Sequence, residues 1–110
     1  MAGEAMLEVR ISVPDHATGE QLAAALVDRR LAACVQVLGP MTSVYVWQGA
    51  AERAQKWLLL AKTTTAAFDD LCAAVGQLHP HDVPEVLAVS VERALQPYAE
   101  WLRAAVGPTG

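Results

Sequence analysis

The chain has little positive charge. It carries 8 Lys and Arg against 12 Asp and Glu in 110 residues, a formal net charge of −4 and a pI near 5.2. A nucleic-acid surface needs clustered cations to displace counterions from phosphates, and here the cations are scattered, so no nucleic-acid partner is expected. Long apolar runs are also missing. No segment approaches the length of a membrane span, and Met1-Ala2-Gly3-Glu4-Ala5 lacks the basic and apolar blocks of a secretory leader, so no membrane partner is expected and the cytosol is the expected compartment. Cysteine is sparse. Cys34 and Cys72 have neither the close pairing of a zinc knuckle nor that of a redox motif, and in a reducing compartment both are expected as free thiols. No glycine-rich phosphate loop is present, and no Ser-His-Asp or Cys-His arrangement can be assigned, so no enzyme activity is expected.

What the chain does have is apolar material: 54% of residues are hydrophobic and only 18% charged, enough for one compact domain spanning 1–110. Leu7, Val9, Ile11 and Val13 alternate with polar residues and predict a first strand ending at Pro14. Thr18 and Gln21 have the form of a capping box opening a helix to about Leu31. From Cys34 to Trp47 the residues predict a long second strand interrupted at Gly39-Pro40, with a turn at Gln48-Gly49-Ala50. Lys56 to Thr63 predicts a third strand covered on both faces and paired with the second as a hairpin. Thr65 is the expected cap of a second helix, whose stripe Phe68, Leu71, Cys72, Val75 and Leu78 ends at His79-Pro80. Glu85 to Val91 predicts a fourth strand, and Pro97 opens a closing helix before a frayed Gly107-Pro108-Thr109-Gly110 tail. The order β-α-β-β-α-β-α is the split βαβ, ferredoxin-like α+β arrangement with an antiparallel sheet.

The densest chemistry lies in His79-Pro80-His81-Asp82-Val83-Pro84-Glu85. Two prolines stiffen a connection that holds two imidazoles and two carboxylates. Imidazole and thiolate suit copper and zinc, and carboxylates can complete a shell, so His79, His81, Asp82 and Cys34 are the candidate metal ligands, with Glu85 able to join them. The same composition also builds a helix-to-strand corner with nothing bound, and a strand cysteine such as Cys34 is commonly a small buried hydrophobe. A polar pocket lined by Tyr45, Trp47, Lys62 and Glu85, with the histidines beside it, is a second candidate site. Lys62 ends an apolar strand and should find Glu85 or a ligand, because an unpaired buried ammonium is costly. Cys72 belongs on the core side of its helix.

Five blocks in order, Leu31-Ala32-Ala33-Cys34-Val35, Thr42 to Gly49, Lys62-Thr63, His79 to Glu85, and Tyr98 with Trp101, resemble the CutA divalent-cation tolerance family across nearly the whole chain. The resemblance implies a homotrimer of ferredoxin-like subunits, related in architecture to the PII signalling proteins. It further implies association with copper or other divalent metal ions, and no catalytic reaction. A PII-like sensor binding a small anion or nucleotide between subunits is the alternative. This chain departs from the family pattern at His81, where tyrosine is common, and at Gln48 and Lys56, where glutamates are common. Exposed Tyr45 and Trp47 on a long hairpin would independently call for cover by another subunit.

Overall fold

The computed structural model describes residues 4–107; the outermost residues at both ends, including the last three of the Gly107-Pro108-Thr109-Gly110 tail expected to fray, lie outside the described residues. The elements are β1 (Met6–Val13), α1 (His16–Asp28), β2 (Cys34–Trp47), β3 (Ala50–Thr64), α2 (Phe68–Leu78), β4 (Val86–Val91) and α3 (Gln96–Ala105). The strands form one antiparallel sheet in the order β2-β3-β1-β4. This is the expected ferredoxin-like α+β topology.

Register explains which face is buried. Val9, Ile11 and Val13 of β1 lie opposite Ala61, Leu59 and Trp57 of β3, so their side chains share one face of the sheet. Helices α1 and α2 cover that face with Leu22, Leu26, Leu71, Ala74 and Val75, and the strand residues Val9, Ile11 and Leu59 are fully buried there. The other face is covered only at one end. There α3 packs Ala99 and Leu102 on Met6 and Ala33, while Leu38, Leu87 and Val89 stay exposed.

Four local expectations are corrected. Helix α1 is capped by Asp15, whose carboxylate accepts the Thr18 N–H at 2.8 Å, because an aspartate after Pro14 starts the helix earlier than the Thr18 capping box. The helix stops at Asp28 rather than near Leu31: Arg30 adopts a left-handed conformation with φ 58°, and the N–H groups of Leu31 and Ala32 turn back to the Leu26 carbonyl. Thr65 opens a short 3-10 turn (Thr65–Ala67) instead of capping α2, since its hydroxyl donates to the Ala5 carbonyl at 3.3 Å. Strand β3 begins at Ala50, not Lys56, and its outer half is covered on neither face, because Gln48 (φ 51°) and Gly49 (φ 80°) alone make the turn.

That two-residue turn lengthens the hairpin, and the molecule measures 49 × 25 × 22 Å. At the hairpin's root the register shifts between Leu38 and Met41, adding one residue on β2. Gly39 occupies this bulge because a Cβ would sit 2.6 Å from the Trp57 ring. The shift reverses the parity of β2. Cys34, Gln36 and Leu38 face away from α1 and α2 before it, and Met41, Ser43, Tyr45 and Trp47 face the same way after it.

Candidate functional site

The parity change brings the outer hairpin and the proline-braced corner onto one cleft. A cavity of about 910 Å³ is bounded on one side by Ser43, Tyr45, Trp47, Glu52 and Lys56 and on the other by Pro80, His81, Asp82, Val83 and Glu85, with Ser12 at its floor. Tyr45 and Glu52 are cross-strand partners, so an aromatic and a carboxylate stand side by side. Lys56 places its ammonium 4.2 Å from the centre of the Tyr45 ring, a cation–π contact. Glu52, Asp82 and Glu85 set three carboxylates against that single lysine, so the cleft is biased towards cationic ligands.

Of the residues singled out from sequence, Tyr45, Trp47, His81, Asp82 and Glu85 line this cleft. His79 adjoins it but is turned inward and only 7% exposed. Its Nε2 lies 2.7 Å from the Ser12 carbonyl, which can only accept, and its Nδ1 lies 3.0 Å from the His81 backbone N–H, which can only donate. These contacts fix a neutral ring protonated on Nε2 and leave neither nitrogen with a spare lone pair. His79 therefore holds the corner onto β1. The His81 ring sits 5.1 Å away at a 52° tilt, with its own nitrogens unengaged among the described residues.

Cys34 and Lys62 are elsewhere. They are paired across β2 and β3, four residues along β3 from the Leu58 that faces Ser12, a separation of roughly 13 Å along the strand. Cys34 Sγ lies 3.6 Å from the Tyr98 hydroxyl. That contact, with burial, pushes the Tyr98 phenol up to about 12. Lys62 Nζ donates to Gln36 Oε1 at 2.8 Å and lies 3.7 Å from Glu8 Oε2, so where Glu85 or a ligand was the expected partner, its contacts are Gln36 and Glu8 on its own stretch of sheet. Cys72 is half-buried on α2, and desolvation raises its thiol pKa. Among the described residues no three His, Cys, Asp or Glu side chains converge on a point where they could hold a metal ion. Ser12, Ser43 and Glu52 were not legible as site residues; the parity change behind Gly39-Pro40 puts Ser43 at the cleft, while Glu52 reaches it through the unbroken alternation of β3 opposite Tyr45.

A four-stranded antiparallel sheet in this order, two helices packed along one face and a projecting hairpin define a ferredoxin-like α+β protein of the PII-like kind. Residues 7–105 match the family model of the CutA1 divalent ion tolerance protein, and the chain belongs to that family. It is 44% identical to the divalent-cation tolerance protein CutA of Thermus thermophilus over 90% of this chain and 96% of that one. The solved structure from that organism superposes with a TM-score of 0.91, at 43% identity over 93% of this chain and 99% of the other. Protein CutA of Homo sapiens is 36% identical over 84% of this chain, which spans 52% of the human protein's length. The solved structure of the periplasmic divalent cation tolerance protein CutA from Archaeoglobus fulgidus superposes with a TM-score of 0.89 at 27% identity, over 93% of this chain and 99% of that one. The family is named for tolerance of divalent ions and not for a reaction. No helix among the described residues is long and apolar enough to cross a membrane.

Proposed function

We propose that this chain is a divalent-cation tolerance protein that binds copper or a related divalent ion, as a single-domain subunit of a homotrimer and without catalysing a reaction. The observation that carries the reading is the family match over residues 7–105, joined to a cleft with a carboxylate excess and a free imidazole. His81, Asp82 and Glu85 are the donors one chain offers there. Imidazole with carboxylate suits Cu(II), and the ion is cargo, held by an open set of donors that water or a second copy completes. His79 serves as the brace of this site, and Cys34 with Lys62 as a separate polar group near α3. The free thiols Cys34 and Cys72 fit a reducing, cytoplasmic setting.

The trimer is supported by surface that one chain cannot cover. The sheet face away from α1 and α2 exposes Leu38, Leu87 and Val89, and the outer hairpin exposes Val44, Val46 and Trp47. Exposed apolar residues on unpaired strand edges are a template for pairing with a further copy.

The test is a calorimetric Cu(II) titration of the chain and of His81→Ala. A saturable step with integral stoichiometry, lost in the variant, supports the reading; weak heats that the variant leaves unchanged overturn it. A PII-like sensor of small ligands between subunits is the second reading. It is favoured by the volume and the aromatic wall of the cleft, while the carboxylate excess disfavours an anion there.

A further inference from the structure

A second cavity, of about 560 Å³, opens at the other end of β1, where the ends of α1 and α3 and the start of α2 meet. Its walls carry Arg29, Arg30 and Arg103, three of the eight Lys and Arg residues of an acidic chain. None of the three guanidinium groups is ion-paired with a carboxylate among the described residues, whereas Arg10 and Lys62 both approach Glu8. The two carboxylates that line the cavity do not supply that partner. Glu4 Oε1 instead accepts the Ala66 N–H at 2.9 Å, and Asp70 forms no ion pair among the described residues.

Two of the arginines are held in place by backbone. Arg30 donates from Nε to the Ala105 carbonyl at 3.1 Å and from Nη2 to the Ala104 carbonyl at 3.0 Å, at the end of α3. Arg103 donates from Nε to the Glu4 carbonyl at 2.8 Å. Each fork keeps N–H groups to spare, because a guanidinium carries five. Arg29 has no such tether among the described residues and is exposed on the cavity lining. Three guanidinium groups against two carboxylates leave this lining a net positive charge, and an anion seated among the arginines is attracted by it.

We propose that this cavity binds a small multivalent oxyanion, of the diphosphate or tricarboxylate kind, with Arg29 closing over a ligand that Arg30 and Arg103 receive in fixed orientation. The volume exceeds what one phosphate fills, and guanidinium forks match phosphate and carboxylate oxygens alike. The site is independent of the cleft at Ser12, so its failure leaves the metal reading standing.

The experiment is a calorimetric titration of the full chain at low ionic strength with sodium pyrophosphate and, separately, with citrate. It is repeated on Arg29→Ala, Arg103→Ala and, as a control for lost charge, Arg93→Ala. Arg29→Ala removes an exposed side chain and leaves the ties to α3 intact, so it keeps the test valid if replacing Arg103 disturbs folding. The expected result is one saturable site per chain for at least one probe. Its affinity should fall about tenfold or more in Arg29→Ala and hold in Arg93→Ala, as loss of a charge-assisted hydrogen bond predicts. Binding of pyrophosphate alone would assign a phosphoryl ligand, and binding of citrate a carboxylate-bearing one. Non-saturating heats with both probes, or equal weakening by Arg93→Ala and Arg29→Ala, would overturn the proposal in favour of general electrostatic attraction.

Discussion

The inner and outer halves of the β2–β3 hairpin share a fold but live by different rules. In the inner half, Val37 of β2 and Leu59 and Ala61 of β3 meet α1 and α2, and Leu59 and Ala61 are fully buried. In the outer half, Val44, Val46 and Trp47 have the same β-forming chemistry, yet Val46 is 76% exposed. Strand propensity thus extends the ladder equally through both halves, while burial is supplied only where helices exist to provide it. The outer half consequently has an aromatic and carboxylate face with which to build a cleft, and a β2 edge unpaired among the described residues.

Breaking the inner half should cost most. Leu59→Ala empties a fully buried position and should lower unfolding free energy by about 2–5 kcal/mol in urea denaturation, whereas Val46→Thr at the outer half should change it by no more than about 0.5 kcal/mol at concentrations where the chain is monomeric. Gly39→Ala attacks the junction. The added Cβ meets the Trp57 ring at 2.6 Å, so a loss of about 1–3 kcal/mol is expected by the same measurement.

His79→Ala tests the brace. It strands the buried Ser12 carbonyl and the His81 N–H, with an expected cost of about 1–3 kcal/mol. Faster hydrogen exchange confined to the 80–85 corner would show that the cost falls at the cleft.

The smallest effect concerns the α3 end. The Tyr98 phenol is raised to about 12 by its contact with Cys34 and by burial, against an ordinary value of about 10. A raised folded value means that the neutral phenol favours the folded state. That contribution is complete below pH 10 and is lost as pH rises through 12. Stability should therefore decline across pH 10–12, and Tyr98→Phe should flatten the decline without altering Cu(II) binding at the distant cleft.

Much of the architecture was legible in the residues. Alternation from Leu7 to Val13 and the stripe from Phe68 to Leu78 gave the first strand and second helix, and the prolines around His81 marked the corner. The cap of α1 is not legible, because Asp15 and Thr18 both have capping chemistry and local pattern does not choose between them. Half of the candidate site was legible too: the corner and the hairpin aromatics do face each other. Lys62 and Cys34 lie apart from them, and nothing in sequence spacing reveals that the strand pairing carries both to the far end of β3. The inward turn of His79 was hidden for a similar reason, since its partner, the Ser12 carbonyl, belongs to the backbone of a strand 67 residues away.

The most direct test of the central reading is native mass spectrometry of the full chain with and without added Cu(II), because one spectrum reports both assembly and metal content. The account predicts a trimer carrying a discrete, integral copper load that disappears in His81→Ala while the trimer persists. A monomer, or a copper distribution without a discrete maximum and unchanged by His81→Ala, would contradict it.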